Sequence, residues 1–294
     1  MPELPEVETM RRGVLPTIGS RIVAIERPPC LRKPISIRPR IDALDRRTRG
    51  RRVEAIGRRG KRLLLALDDQ QLIVIEPRMT GLVLLVDPPT KDHLRLRIEL
   101  SGGPVNELLF WDRRGLGTVQ LFARGEFEAS VGDRLGVDAL EVTAAELKRK
   151  LGQSRREVKV ALLDQSAVAG IGNLYAAEIL FLAGVDPRCH CNILTRSQWQ
   201  RIAKATEIVL QKAIENEGST LSDGTYRNAL NGEGSYQNHH RVYDRAGNHC
   251  PRCGRGPIRR IVQAQRSTFF CPSCQRKRGV HPCVATALEK QSSS

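Results

Sequence analysis

Four cysteines late in the chain, Cys250-x2-Cys253-x17-Cys271-x2-Cys274, have the spacing of two metal-binding knuckles. Thiolates paired in this way supply four soft ligands to one tetrahedral zinc ion. With every position filled by protein, the metal is expected to be structural, with no open place for a catalytic water. Cys30, Cys189, Cys191 and Cys283 lack such a partner knuckle, and the adjacent ligands of Cys189-His190-Cys191 fit one tetrahedron poorly. A second chemistry is written at the start, Met1-Pro2-Glu3-Leu4-Pro5-Glu6. Removal of Met1 before the small Pro2 leaves a secondary amine beside a carboxylate. An α-amino group titrates near ~7.7–8.0, so part of it is neutral at pH 7 and able to attack a carbonyl-like carbon. A secondary amine then gives an iminium that cannot discharge by losing a proton. The plainer reading is a proline opening a helix.

Three further segments carry polar groups at telling places. Gln265-Arg266-Ser267-Thr268-Phe269-Phe270 lies between the knuckles, where a zinc-held β-hairpin would present Arg266 at its tip, either to a phosphate or only to solvent. Gly170-Ile171-Gly172-Asn173 precedes an amphipathic stretch; glycines there expose N–H groups suited to a phosphate, though they also make an ordinary helix entry. Gly60-Lys61 sets a lysine on a tight turn between two strand-like runs.

The overall charge points to a polyanion. Lys and Arg total 48 against 32 for Asp and Glu, a formal +16, and nucleic acid is the commonest polyanion. The arginines cluster, at 46–62 and again at 255–278. Aromatic residues make up only 4%, too few for a single-strand stacking platform. No apolar run approaches the ~18 residues of a membrane span, so a soluble intracellular protein is expected. The 294 residues, 40% of them hydrophobic, are enough for two domains.

The elements that must position these groups change character along the chain. Residues 1–133 read as a β-sandwich after a short opening helix, with strands at Arg21–Arg27, Leu63–Leu67, Leu72–Ile75 and His93–Leu100. In the last, Leu94, Leu96, Ile98 and Leu100 mark the buried face, and Arg95, Arg97 and Glu99 the solvated one. After a linker at 134–142, residues 143–240 read as helical. Thr143-x-x-Glu146, Ser154-x-x-Glu157 and Thr195-x-x-Gln198 look like capping boxes, and Asn173 caps a helix closing at Gly184. The third box opens a long helix with Trp199, Ile202, Val209 and Ala213 on one face. A cysteine-rich module spans 241–275, and 276–294 reads as a mobile tail.

Together these motifs resemble the formamidopyrimidine-DNA glycosylases, bacterial enzymes that excise oxidised purines. The resemblance rests on the opening Met-Pro-Glu-Leu-Pro-Glu-Val-Glu-Thr, on Leu162-Leu163-Asp164-Gln165 followed by Gly170 to Glu178, on Val242-Tyr243 and on Cys271-Pro272-Ser273-Cys274-Gln275. It implies an α+β multidomain protein: an N-terminal β-sandwich, a helix–two-turn–helix domain and a zinc-finger β-hairpin, with double-stranded DNA in the cleft between. It also implies a monomer at the bacterial nucleoid, with one structural Zn2+ and neither nucleotide cofactor nor membrane partner. Pro2 would be the nucleophile, Glu3 the proton donor to the sugar, Lys61 the aid to β-elimination and Arg266 the aid to δ-elimination. Asn173 would join Lys61 and Arg266 around the lesion phosphates, with His93, Arg114 and Arg155 at further DNA contacts. Met79, Arg114 and Leu116 would fill the gap left by a flipped nucleotide. Leu116 stands where the family typically has Phe, a wedge with less stacking surface. The segment Gly218 to Asp223 matches the lesion-capping loop and then diverges at Tyr226-Arg227-Asn228-Ala229. An endonuclease VIII-like enzyme for oxidised pyrimidines is the nearest alternative, although Leu4 stands where that group tends to carry Gly. A non-catalytic zinc-ribbon DNA-binding protein is another.

Overall fold

A computed structural model describes residues 2–221 and 224–276. Met1, Ser222, Asp223 and the expected tail beyond Arg276 lie outside the described residues. The chain divides into two compact units. Unit 1 comprises Met1–Glu141, Val168–Ile171 and Leu210–His239; unit 2 comprises Val142–Ala167, Gly172–Val209 and the described residues from His240 onward.

Unit 1 opens with helix α1 (Leu4–Gly13), followed by β1 (Arg21–Glu26), β2 (Ser36–Arg38) and α2 (Ile41–Thr48). Strands β3 (Val53–Arg59), β4 (Arg62–Leu67), β5 (Leu72–Glu76), β6 (Gly81–Leu84), β7 (Leu94–Ser101), β8 (Glu107–Asp112) and β9 (Thr118–Phe122) come next, then the short α3 (Glu126–Ser130). The strands form two sheets, in the orders β1-β7-β8-β6 and β2-β9-β5-β4-β3. Leu63, Leu65, Ile73 and Ile75 of one sheet and Leu82, Leu96, Ile98 and Phe110 of the other belong to one buried cluster, which also takes in Val7 and Met10 of α1. This is the sandwich expected from the period-two pattern. Burying ~25 cal/mol per Å² of apolar surface is what holds two such faces together.

One residue breaks the pattern. Arg95, assigned to the solvated face by alternation, is 2% exposed. The register between β7 and β8 shifts between Leu94 and Leu96, so Arg95 sits at a β-bulge that re-aims its side chain.

Strands β10 (Val137–Asp138) and β11 (Val168–Ala169) pair in parallel and complete this unit's sheets. Unit 2 contains α4 (Ala144–Leu151), α5 (Val158–Leu162) and α6 (Asn173–Ala183), and most of α7 (Arg196–Glu215), which runs on into unit 1. The antiparallel pair β12 (Arg259–Gln263) and β13 (Arg266–Phe270) forms the hairpin between the cysteine knuckles.

Two of the three capping boxes form. Thr143 Oγ1 accepts the Glu146 N–H, and Thr195 Oγ1 accepts the Gln198 N–H, both at 3.2 Å. Ser154-x-x-Glu157 does not cap a helix. The Asn192 N–H donates to Ser154 O, and Glu157 bridges to His190, so this stretch is extended and α5 starts only at Val158. Asn173 is likewise not a cap. Gly172 takes that place, and Asn173 is the first helical residue. The predicted C-terminus holds: Gly184 is left-handed, with φ +66°. Among the described residues, no helix is long and apolar enough to cross a membrane.

Candidate active site and zinc centre

In unit 1, Pro2 and Glu3 are buried at the head of α1, Glu3 at 2% exposure. The Leu4 N–H donates to Gly170 O at 3.1 Å, tying this head to the segment after β11. Gly170 is required there. Its φ is +115°, and a Cβ would meet the Leu4 side chain at 2.4 Å. The Gly60-Lys61 turn joins β3 to β4, and Gly60, at φ +57°, lies against the same segment, where a Cβ would come within 3.1 Å of Ala169 Cβ. The N-terminal head and the lysine turn therefore share one support, residues 169–170.

Buried charge fixes both. Arg58 donates to Glu8 on α1 at 3.2 Å and to both Asp138 oxygens at 2.6 and 3.0 Å. Asp138 also accepts the Gly60 N–H at 3.2 Å. Burial pushes the Glu8 carboxyl up, but hydrogen bonds from Arg11 and Arg12 and the charges of Arg11 and Arg58 bring it down to about 2. Glu6 accepts the Glu3 N–H at 2.8 Å through one oxygen and the Ser219 N–H at 2.9 Å through the other. The Gly218–Leu221 segment is thus anchored beside the head of α1. Tyr226 and Ala229, where the chain leaves the family's loop pattern, are buried in the sandwich core.

The proposed gap-filling residues sit on two turns that one network joins. Met79, 37% exposed, precedes Thr80 in the β5–β6 turn. The Thr80 hydroxyl donates to Asp112 Oδ1 and accepts the Arg114 N–H at 3.0 Å. Asp112, fully buried, accepts the Arg114 N–H through Oδ1 at 3.1 Å, and through Oδ2 the N–H groups of Leu116 and Gly117, both at 2.7 Å. Arg114 is exposed and Leu116 half-buried. His93 lies edge-on to Trp111 with ring centroids 5.4 Å apart. Burial and the positive charges of Arg95, Arg32 and Arg113 push the His93 imidazole below its ordinary range, outweighing the opposing charge of Asp92.

In unit 2, Asn173 meets the strand that begins with Arg266. Its Nδ2 donates to Ser267 O at 3.0 Å, while its Oδ1 accepts from the Lys159 ammonium. Lys159 is completely buried and was not anticipated from the sequence. Arg266 is exposed beside the hairpin tip, whose two residues Ala264 and Gln265 both have positive φ, +45° and +61°. Opposite Arg266, Gln263 donates to Glu157 at 2.7 Å and to Pro187 O at 3.2 Å, fixing the hairpin to the helical part of the unit. Arg155 is exposed in the extended segment before α5, two residues from Glu157.

The four knuckle cysteines converge, with every Sγ within 4.8 Å of the others. Cys250–Cys274 and Cys253–Cys271 stand at 3.8 Å, unbridged by disulfides. A tetrahedron with Zn–S bonds of about 2.3 Å has edges of about 3.8 Å, so the donor set fits one zinc ion. Bound there, zinc supplies structural cross-linking. Around it, Gln275 accepts the Cys271 N–H and donates to Val185 O, both at 2.9 Å. Arg252 stacks 4.3 Å over the Phe181 ring. Glu178, 1% exposed, accepts the N–H groups of Arg241, Val242 and Tyr243 and so anchors the entry to the zinc module. Burial pushes its carboxyl above the usual range against the pull of those donors.

Comparison with known proteins agrees with this arrangement. Residues 1–119 match the formamidopyrimidine-DNA glycosylase N-terminal domain, 135–225 the H2TH domain of the same enzymes, and 247–276 the zinc finger found in FPG and IleRS. The formamidopyrimidine-DNA glycosylase of Chloroflexus aurantiacus is 40% identical over 289 residues, covering 94% of this chain and 98% of its own. The crystal structure of MutM (Fpg) from Thermus thermophilus superposes with a TM-score of 0.81 at 38% identity, covering 93% of this chain and 98% of that one. Lactococcus lactis Fpg, solved in complex with DNA containing an abasic site, gives 0.82 at 32% identity, covering 94% and 100%. On its sequence, its sandwich, its H2TH segment and its zinc hairpin, the chain belongs to the formamidopyrimidine-DNA glycosylase family.

Proposed function

We propose that this protein is a bifunctional DNA glycosylase and AP lyase of base excision repair that removes oxidised purines from duplex DNA through Pro2. The observation that carries the reading is the shared support of residues 169–170 beneath the head of α1 and the Gly60-Lys61 turn. The damaged nucleotide is flipped out of the duplex. The Pro2 amine, freed by removal of Met1, attacks C1′ while Glu3 protonates the sugar oxygen. The C1′–N bond breaks, the base leaves, and an iminium remains. This electron sink acidifies C2′. Loss of that proton expels the 3′ phosphate with help from Lys61, and a second elimination expels the 5′ phosphate with help from Arg266. Hydrolysis then frees Pro2.

Asn173, Lys61, Arg266, His93, Arg114 and Arg155 hold the backbone, and Met79, Arg114 and Leu116 fill the vacated space. In this reading, residues 1–133 are the catalytic sandwich, 143–240 the helix–two-turn–helix domain and 241–275 the zinc finger. The enzyme works at the DNA of the bacterial nucleoid, in line with relatives named as formamidopyrimidine-DNA glycosylases and solved on damaged DNA.

The test is borohydride reduction in the presence of duplex DNA containing 8-oxoguanine. A covalent adduct mapped to Pro2 is expected, and an uncleaved N-terminal extension should abolish it while sparing DNA affinity. Equal trapping with the amine blocked would overturn the assignment. Faster excision of thymine glycol than of 8-oxoguanine would replace the purine reading with a pyrimidine one.

A further inference from the structure

The segment between β1 and β2 contains Arg27-Pro28-Pro29-Cys30 and Arg32. It closes over a cavity of about 180 Å³ lined by Arg27, Cys30, Arg32 and Arg95 among prolines. Arg27 and Arg32 are exposed, and Cys30 is partly so. Arg95, at 2% exposure, is the buried wall. Its Nε donates to Asp112 O at 2.8 Å and its Nη1 to Cys30 Sγ at 2.6 Å. Its Nη2 is buried with no hydrogen-bond partner among the described residues.

The guanidinium of Arg95 keeps its positive charge in the wall of this cavity at every ordinary pH. An acceptor carrying negative charge suits a cavity with two further arginines on its rim. An apolar or cationic guest does not. The half-exposed thiol at the same wall adds a second chemistry. We infer that Cys30 and this basic cavity form a thiol-exchange site for small disulfides that carry carboxylates.

Arg27 and Arg32 hold the carboxylates, and the buried Arg95 guanidinium adds its charge from behind the cavity wall. Cys30 loses its proton to solvent, and its sulfur attacks the nearer sulfur of the disulfide. A new S–S bond forms to Cys30, the old one breaks, and the far half leaves as a thiolate. Cys30 is oxidised and the small disulfide reduced, so nothing else is needed. The zinc cysteines take no part, and the site stands whether or not Pro2 is the glycosylase nucleophile.

The experiment uses the full zinc-loaded chain and two probes, dianionic 5,5′-dithiobis(2-nitrobenzoate) and dicationic cystamine. Labelling rates at Cys30 are followed by peptide mapping, and each is normalised to the rate with N-acetylcysteine. The normalised preference for the dianion should be about tenfold or more at low salt and should shrink towards one at high salt. Arg27→Gln and Arg32→Gln, both on the exposed rim, should each reduce it by several-fold with the melting temperature unchanged. Oxidised glutathione should give a single mixed disulfide at Cys30, absent in Cys30→Ser. A normalised preference near one, or a preference that survives both arginine substitutions together, overturns the site. So does a Cys30 that stays unlabelled in the folded protein.

Discussion

Replacing Asp112 is the sharpest test of how the gap-filling turn is held. Its buried carboxylate accepts four donors: the Thr80 hydroxyl and the N–H groups of Arg114, Leu116 and Gly117. In Asp112→Asn the amide nitrogen is best placed at Oδ1, where Thr80 can reverse its hydroxyl and the Arg114 N–H keeps Thr80 as acceptor. The two 2.7 Å bonds to Leu116 and Gly117 survive without their charge. Hydrogen bonds to charged groups exceed neutral ones by about 1 kcal/mol, so the change should cost ~2 kcal/mol. Asp112→Ala orphans those two N–H groups outright and should cost roughly 4 kcal/mol. At 2–4 °C per kcal/mol for a unit of this size, the sandwich should melt ~4–8 °C lower with Asn and about twice that with Ala.

If the turn opens before the sandwich does, ~2 kcal/mol shifts its closed-to-open ratio about thirtyfold. Single-turnover excision of 8-oxoguanine should then slow, and its preference for cytosine over adenine as the opposite base should shrink. Under the proposed function that preference would rest on Arg114, which can donate to the acceptor edge of an orphaned cytosine but meets the N–H₂ of adenine badly. Cleavage of single-stranded DNA holding an abasic site leaves no gap to fill and should be unaffected. Wild-type melting and a wild-type opposite-base ratio in both variants would refute the argument.

Removing the metal ligand in Cys253→Ser should abolish duplex binding while leaving the circular dichroism of strands and helices largely intact, because zinc stabilises the hairpin and each unit has a core of its own. Arg266→Ala should flatten the dependence of log affinity on log salt by about 0.9 on every sequence tested, the value for one phosphate contact; an unchanged slope would place Arg266 away from the backbone. Glu8 predicts an acid-stability effect with a definite sign. Its folded pKa is depressed to about 2, so its contribution is complete above the ordinary glutamate range and is lost as pH falls towards 2. The shift sets a limit of about 3 kcal/mol, nearer to 2 once solvent screening is allowed for. Denaturant titrations between pH 6 and 2 should therefore show a shallower loss in Glu8→Gln than in wild type, and parallel curves would contradict the role of Glu8 beside Arg58 and Asp138.

What could be read from the sequence was what is local. The zinc knuckles, the Gly60-Lys61 turn and the strands around Leu63 and Leu72 each carry their information within a few residues. Two capping boxes formed for the same reason. The Ser154 box failed because Ser154 and Glu157 are claimed by distant partners, Asn192 and Gln263, whose demands outweigh a helix cap. Arg95 was misplaced because alternation assumes an unbroken register, and nothing near Leu94 and Leu96 signals a bulge. Asn173 was expected both as a helix cap and as a phosphate contact; the cap is not made, because Gly172 takes that place and the Asn173 amide joins Lys159 to the Arg266 strand. Glu8 stands in the opening motif and Arg58 in the first arginine cluster, but nothing local links them to Asp138, since the three are scattered over 130 residues.

A common device underlies what was missed. Segments that carry candidate site residues are irregular, so their backbone N–H groups have no ladder or helix to bond to, and leaving them buried and unpaired is costly. In four places a buried carboxylate supplies the missing acceptors. Glu6 takes the N–H groups of Glu3 and Ser219, Asp138 that of Gly60, Asp112 those of three residues around Arg114 and Leu116, and Glu178 those of three residues leading to the zinc module. A carboxylate is suited to this because it accepts several bonds and donates none when ionised. Asp138 is also balanced by the guanidinium of Arg58. Burying a charge is justified only where its partners must not move. The positions of these four acids therefore mark the irregular backbone that is held most firmly: the head of α1, the Gly60-Lys61 turn, the turn after Asp112 and the entry to the zinc module.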